Sequence, residues 1–182
     1  MKLEAVEKTM RAYLVIVSYL ALIVMAGGSV QMKLASSAFA SGGLIPAVYA
    51  YCGPGAANVS PPLEWTGLPH GAASLVLIMH DPDAPVGDFV HWVAYDIPAN
   101  IAGLPQGASA SGLFLEGRNS YGKLGYGGPC PPPGPPHHYV FDLYALSVPT
   151  LGLPAGATAT AVVRAAAPYV LAKAELVGLY SR

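Results

Sequence analysis

The sequence predicts a mainly β domain with one short helix near its end. Three observations carry this. Apolar runs such as Leu75-Val-Leu-Ile-Met79 and Tyr139-Val-Phe-Asp-Leu-Tyr144 are short and end in turn residues. Glycine (21) and proline (18) are abundant without a period, so turns are frequent. Hydrophobic residues make up 53% of the chain, which points these turns to a packed core rather than to disorder.

At 182 residues, one domain with a real core is the default. A formal net charge of −1 and 10% charged residues give no electrostatic basis for nucleic-acid binding. The two cysteines, Cys52 and Cys130, fit neither a zinc pattern nor a CxxC motif. Both sit in turn-rich stretches, and their even number allows a disulfide if the protein is exported.

Residues 1–31 differ from the rest. Lys2, Lys8 and Arg11 precede the uncharged run Ala12-Tyr-Leu-Val-Ile-Val-Ser-Tyr-Leu-Ala-Leu-Ile-Val-Met-Ala26, and small residues follow. A basic flank, an apolar run and a small-residue exit are the parts of a signal peptide. The run also approaches the ~17–25 residues of a membrane helix, so membrane contact through residues 12–30 is a second reading. A third places the true start at Met32 and leaves the protein in the cytoplasm; the first two export it or anchor it facing outward.

The domain proper, 32–182, opens with a strand near Leu34, a Ser-Gly-Gly turn and a short strand ending near Cys52. Asn58-Val-Ser60 fits a glycosylation acceptor weakly, because Pro61 follows. Leu63-Glu-Trp65 reads as an edge strand. Ser74–His80 is a continuous apolar run, the mark of a strand covered on both faces. Asp81-Pro-Asp-Ala-Pro85 follows it. Two prolines fix φ and remove two amide donors, so this is a stiff loop carrying two carboxylates at a strand end. Their close spacing suggests a cis bond at Ala84–Pro85. In the next strand, alternation puts His91, Val93 and Tyr95 on one face and Val90, Trp92 and Ala94 on the other. Ala99–Leu115 reads as an irregular connection, and Arg118–Gly122 as a turn.

Tyr126-Gly-Gly-Pro-Cys-Pro-Pro-Pro-Gly-Pro-Pro-His-His-Tyr139 repeats the arrangement of proline loop and strand. His137 and Tyr139 share a strand face, so His138 points away. Thr158 or Thr160 caps a short helix through Ala161–Ala167, which Pro168 ends. Val170–Val177 alternates as a last strand.

Several segments, each weak singly, together resemble the phosphatidylethanolamine-binding protein family, in particular its prokaryotic Raf-kinase-inhibitor-like branch. They are Ser60-Pro-Pro-Leu-Glu-Trp65, Asp81-Pro-Asp-Ala-Pro85, His91-Trp92, Ile97-Pro98, Gly127-Gly-Pro-Cys-Pro-Pro132, His137-His-Tyr139 and Ala174-Glu-Leu-Val-Gly178. The resemblance runs from about Lys33 to Arg182. It implies a β-sandwich of two antiparallel-rich sheets with a few short peripheral helices. It also implies a small-anion or phospholipid head-group site, with binding rather than catalysis as its role and no cofactor. By that resemblance Asp81, His91, His137 and Tyr139 hold the ligand, and the backbone amides at Gly127 and Gly128 complete the site. The chemistry is coherent: imidazole and phenol donate to phosphate oxygens, and Asp81 orients a histidine or receives the ammonium of a phosphoethanolamine head. Asp83 either touches the ligand or accepts turn amides. Phe89 stands where relatives place an aromatic at the pocket mouth, and Pro131–Pro133 reads as loop rim rather than as a polyproline ligand. Family members also inhibit kinases and serine proteases, so a protein target is a second reading. A metal-dependent hydrolase built on His80, Asp81, Asp83, His91 and His137 is a remote third, because no HExxH or H-x-H spacing occurs. No G-x-S-x-G motif is present either.

If residues 1–31 lie outside the fold, a chain starting at Met32 stays soluble and binds its ligand unchanged. Aggregation of that chain on expression would show that the segment packs on the domain.

Overall fold

A computed structural model gives the structure of the protein, and residues 31–182 are described. The expectations for residues 1–30 lie outside them. Among the described residues, nine strands form two sheets. β1 (Lys33–Ala35), β3 (Leu63–Thr66) and β6 (Gly103–Leu104) make a three-stranded antiparallel sheet in the order β1-β3-β6. The larger sheet contains β2 (Gly43–Leu44), β4 (Ser74–Asp81), β5 (Phe89–Pro98), β7 (Leu115–Glu116), β8 (His137–Leu146) and β9 (Val170–Tyr180), in the order β2-β9-β8-β4-β5-β7. All its pairings are antiparallel except β2 with β9. The mainly β sandwich expected from the sequence is therefore the fold.

The apolar run 74–80 explains the layering. β4 lies between β5 and β8, and its residues alternate between two cores. Leu75, Leu77 and Met79 pack between the sheets with Leu34, Leu63, Trp65, Leu104, Trp92 and Phe141. Val76 and Ile78 point to the outer face, where Val93, Tyr95 and Leu146 meet Val162 and Ala166. Those last two belong to the helix α1 (Ala159–Ala166), which covers that face. Thr158 caps α1, its hydroxyl accepting from the Ala161 amide at 3.2 Å. A 3-10 turn, Ala167–Tyr169, begins where Pro168 denies the helix another amide.

Three local expectations are corrected. Leu63–Trp65 is the middle of its sheet and not an edge, because the segment read as irregular supplies a partner at Gly103–Leu104. The second strand stops at Leu44 and gives way to a 3-10 turn, Ala47–Tyr49, after Pro46. Ala84–Pro85 is trans, as is every peptide bond among the described residues. The loop turns instead by two hydrogen bonds. Asp81 Oδ1 accepts from the Asp83 amide at 2.9 Å, and the Ala84 carbonyl from the Gly87 amide at 3.0 Å.

Cys52 and Cys130 are joined, with Cα atoms 5.3 Å apart across 78 residues of chain. The bond ties the loop after the 3-10 turn to the second proline loop. Replacing both cysteines by serine should lower unfolding free energy by roughly 2–4 kcal/mol, as for a long closed loop. Urea unfolding of the oxidised protein and of the double variant measures this. Equal midpoints would mean that the loops are held by packing alone.

Candidate functional site

The two proline loops meet at one end of the large sheet. Between them lies a cavity of about 160 Å³ lined by Asp81, Ala84, Pro85, Val86, Phe89, His91, Tyr121, Cys130, Pro131, Pro132, His137 and Tyr139. Each polar side chain reaches it for a local reason. Asp81 ends β4 and is 3% exposed. His137 and Tyr139 are alternate residues at the start of β8 and share a face.

His91 arrives by an irregularity that alternation does not show. Met79 pairs with Trp92, but His80 pairs with Val90, so His91 is an extra residue bulged out of the ladder. The expectation that His91 shares a face with Val93 and Tyr95 is corrected. Those two pack under α1. The His91 ring instead lies 5.0 Å from the ring of Phe89 and 5.1 Å from that of Tyr139. The bulge turns it to the cavity side, as bulges near functional sites re-aim side chains.

Two hydrogen bonds tie this bulge to the second loop. The Gly127 amide donates to the His91 carbonyl at 2.9 Å, and His91 Nδ1–H donates to the Gly127 carbonyl at 2.6 Å. A carbonyl only accepts, so Nδ1 carries the proton. In the neutral ring Nε2 is then a bare lone pair. Burial holds the His91 pKa below its ordinary value, against the opposing pull of the Gly127 carbonyl and the Asp81 charge. Among the described residues, His91 Nε2 and Tyr139 Oη are buried without a hydrogen-bond partner. Native proteins rarely leave such groups unmatched, and a ligand is one explanation when they line a cavity. Burial first, and then the Asp81 charge, push the Tyr139 phenol far above its usual range, so it remains a donor.

His137 is oriented by Asp81, its Nδ1 2.7 Å from Oδ2. Asp81 therefore serves two structural partners, the His137 ring through Oδ2 and the Asp83 amide through Oδ1.

The other sequence candidates fall elsewhere. Asp83 does not line the cavity. Its Oδ2 accepts from both the backbone amide and the ring Nδ1 of His138, each at 2.7 Å, and these bonds lower its pKa. Asp83 thus latches the first loop to β8, and the Asx turn expected for it belongs to Asp81. His138 points outward, with 56% of its side chain exposed. The amides of Gly127 and Gly128 do not form an open cradle: the first serves the His91 carbonyl and the second donates to Asn58 Oδ1 at 2.8 Å. The glycines are needed for close approach. A Cβ on Gly127 would sit 2.6 Å from the Tyr121 ring, and one on Gly128 would collide with the Tyr49 carbonyl. Asn58, the weak glycosylation candidate, acts here as a clamp. His80 lies on the reverse face, 2.6 Å from Asp88 Oδ1. Hence the five residues of the metal reading do not converge, and no cluster among the described residues could hold a metal ion.

Tyr121 is the residue that the sequence reading missed. It stacks on Tyr51 at 4.5 Å and meets Phe89 and His91 edge-on. Burial, helped by Tyr51 and Asp81, pushes its pKa up to about 12. Its only sequence signal is an aromatic beside a turn glycine. Pro131 and Pro132 are rim, as expected, and Trp92 is core, donating to Glu116 Oε1 at 2.8 Å.

Sheet order and site together define a β-sandwich with a small cavity, largely apolar and carrying a few polar side chains, walled by two proline loops, a design suited to binding. Comparison with known proteins gives the family. The model of the phosphatidylethanolamine-binding proteins matches residues 35–181, and the chain belongs to that family. A UPF0098 protein of Aquifex aeolicus is 45% identical over 162 residues, covering 86% of this chain and 92% of its own. LppC of Mycobacterium tuberculosis, which bears a lipoprotein designation, is 42% identical over 150 residues, 82% of this chain and 72% of its own. Two crystal structures share the fold. The phosphatidylethanolamine-binding protein homologue CT736 of Chlamydia trachomatis superposes with a TM-score of 0.77 at 36% identity, covering 85% of this chain and 99% of that one. Escherichia coli YbcL, described as a member of the mammalian family, gives 0.78 at 30% identity, with 84% and 99% covered. No helix among the described residues is long and apolar enough to cross a membrane.

The His91 environment gives a pH prediction. Its folded-state pKa lies below the ordinary histidine value of about 6.5, so below that pH the unfolded chain binds the proton more readily. Stability should therefore fall as pH drops from about 6.5 towards the folded-state value. Urea unfolding between pH 7.5 and 5.5 should show this loss, with a shallower slope in His91→Gln. An unchanged slope in that variant would assign the effect to other groups.

Proposed function

We propose that this protein is a binding module for a phosphate-like anion, such as a phosphoethanolamine head group, and that it acts by binding rather than by catalysis. The observation that supports this reading most is that two residues lining the cavity, His91 and Tyr139, each carry a buried polar atom, Nε2 and Oη, without a hydrogen-bond partner among the described residues. Around them, His137 is held by Asp81 and the proline loops supply a wall of fixed shape. Small oxyanions fit a cavity of about 160 Å³. The apolar rim of Pro85, Val86 and Pro131 leaves room for whatever the anion is attached to. Asp81 adds a carboxylate able to face an ammonium group. No side chain here is an activated nucleophile paired with a base, which is why we read the site as a receptor.

In a calorimetric titration with phosphate or phosphoethanolamine, His91→Ala should weaken binding by about 1.5–3 kcal/mol, the value for a hydrogen bond to a charged group. His138→Ala should cost much less, because that ring contacts Asp83 on the outside. Affinity should also decline as pH rises, because an anion can meet the imidazole Nε2 only through a proton shared between the two. Equal losses in the two variants would show that the cavity is not where the anion sits.

A further inference from the structure

β9 is the longest strand among the described residues, and most of its outer edge is bare. β8 covers one side from Val170 to Tyr180, whereas β2 covers the other only at Gly178 and Leu179. The carbonyls of Val177 and Leu179 accept from the Gly42 and Ile45 amides, so odd-numbered residues there turn their amides and carbonyls away from β8. The register with β8 is unbroken from Ala172 to Tyr180, which carries the same direction back to Glu175 and Lys173. The backbone groups that these two residues turn outward meet no partner among the described residues. Gly42 closes the free stretch at Val177, and a bulge at Leu171 closes it at the other end. Beside this edge lies a cleft of about 480 Å³ lined by residues 31–34 and 173–175. The β9 residues turned towards the small sheet here, Ala172 and Ala174, are small, so a second strand of the same sequence fits alongside. No residue of β9 lines the cavity between the proline loops, so this edge stands apart from the anion-binding reading.

We propose that this edge is a homodimer interface, in which β9 of two copies pairs antiparallel about a two-fold axis at Ala174. Charge selects that register. Lys173 then stands opposite the partner's Glu175, and Glu175 opposite the partner's Lys173, each pair exchanging both of its free backbone bonds. An axis at residue 173 would set Lys173 against the partner's Lys173. An axis at residue 175 would oppose two glutamates and would need the Val177 carbonyl that Gly42 already holds. Axes farther along run into the bulge or into β2. An edge lysine ordinarily deters strand pairing, and here it deters the neighbouring registers while favouring one. Within a single copy the charges are out of balance. Asp142 and Glu175 face each other in the β8–β9 ladder and share one lysine, with Lys173 Nζ 2.8 Å from Asp142 Oδ1 and 3.6 Å from Glu175 Oε2. Like charges across a ladder repel, and the partner's Lys173 opposite Glu175 relieves this. Apolar surface adds to the contact. Tyr169, Val170 and Leu171 are consecutive and 40–43% exposed, and the same register brings them level with the partner's β2, where Leu44 is 69% exposed. The ladder is short, so the dimer is a weak one.

Analytical ultracentrifugation of the whole protein over a range of concentrations, paired with amide hydrogen exchange, is the test. Reversible dimers should form by hundreds of micromolar. The Lys173 and Glu175 amides should gain protection as concentration rises, while the Ala174 amide, turned to β8, stays protected throughout. Glu175→Lys should raise the dissociation constant about tenfold or more, because two-fold symmetry counts the like-charge pair twice. Lys173→Glu should do the same, and an equimolar mixture of the two variants should recover dimers, since every glutamate then faces a lysine. Glu175→Pro removes an outward amide and spares the β8 ladder, so it should abolish dimers even if Lys173→Glu fails to fold beside Asp142. A protein that stays monomeric at every concentration would overturn the interface. So would association that Glu175→Lys and Glu175→Pro both leave unchanged.

Discussion

The reciprocal pair between His91 and Gly127 is the constraint on which the site depends. One bond runs from the Gly127 amide to the His91 carbonyl, and the other from the imidazole back to the Gly127 carbonyl. The pair stabilises the bulge at His91, where the ladder to β4 has lost its regular partner. It anchors the second proline loop to the large sheet and fixes which imidazole nitrogen faces the cavity. Stability, geometry and ligand chemistry meet in a single contact, so a change at His91 cannot be purely local.

Rigidity around that contact is supplied redundantly. The prolines of both loops have few accessible conformations even before folding, so ordering them costs less entropy. The first loop is stapled at both ends, by His80 to Asp88 and by Asp83 to His138. The second is held by the Cys52–Cys130 bond and by Asn58 on the Gly128 amide. For the ligand we propose, walls that need little reorganisation would favour affinity. The surrounding aromatic rings of Phe89, Tyr121 and Tyr139 keep the dielectric low, which strengthens any hydrogen bond made inside.

The carboxylates illustrate how position divides labour between like residues. Asp81 and Asp83 are two residues apart in one loop. The first is buried and orients a histidine of the cavity, whereas the second is half exposed and orients a histidine of the surface. The alternation of β8 produces this split, since His137 and His138 emerge on opposite faces and each meets the nearer aspartate.

Much of this was legible in the sequence because it depends on short-range rules. The apolar run at 74–80 required a strand covered on both faces, and the structure covers it with a second sheet and with α1. Thr158 and Pro168 marked the helix, and the spacing of His137, His138 and Tyr139 fixed which two could share a pocket. Tertiary structure decided the rest. Alternation misplaced His91 because a bulge is a property of the pair of strands, not of either alone. The Gly127 and Gly128 amides looked available until their partners, the His91 carbonyl and Asn58, arrived from distant chain. Tyr121 gave almost no local signal, since a wall of a cavity is defined by what stands opposite it. A period along one chain is set by that chain's own backbone geometry, while a hydrogen-bond partner far along the sequence is chosen only when packing brings two segments together.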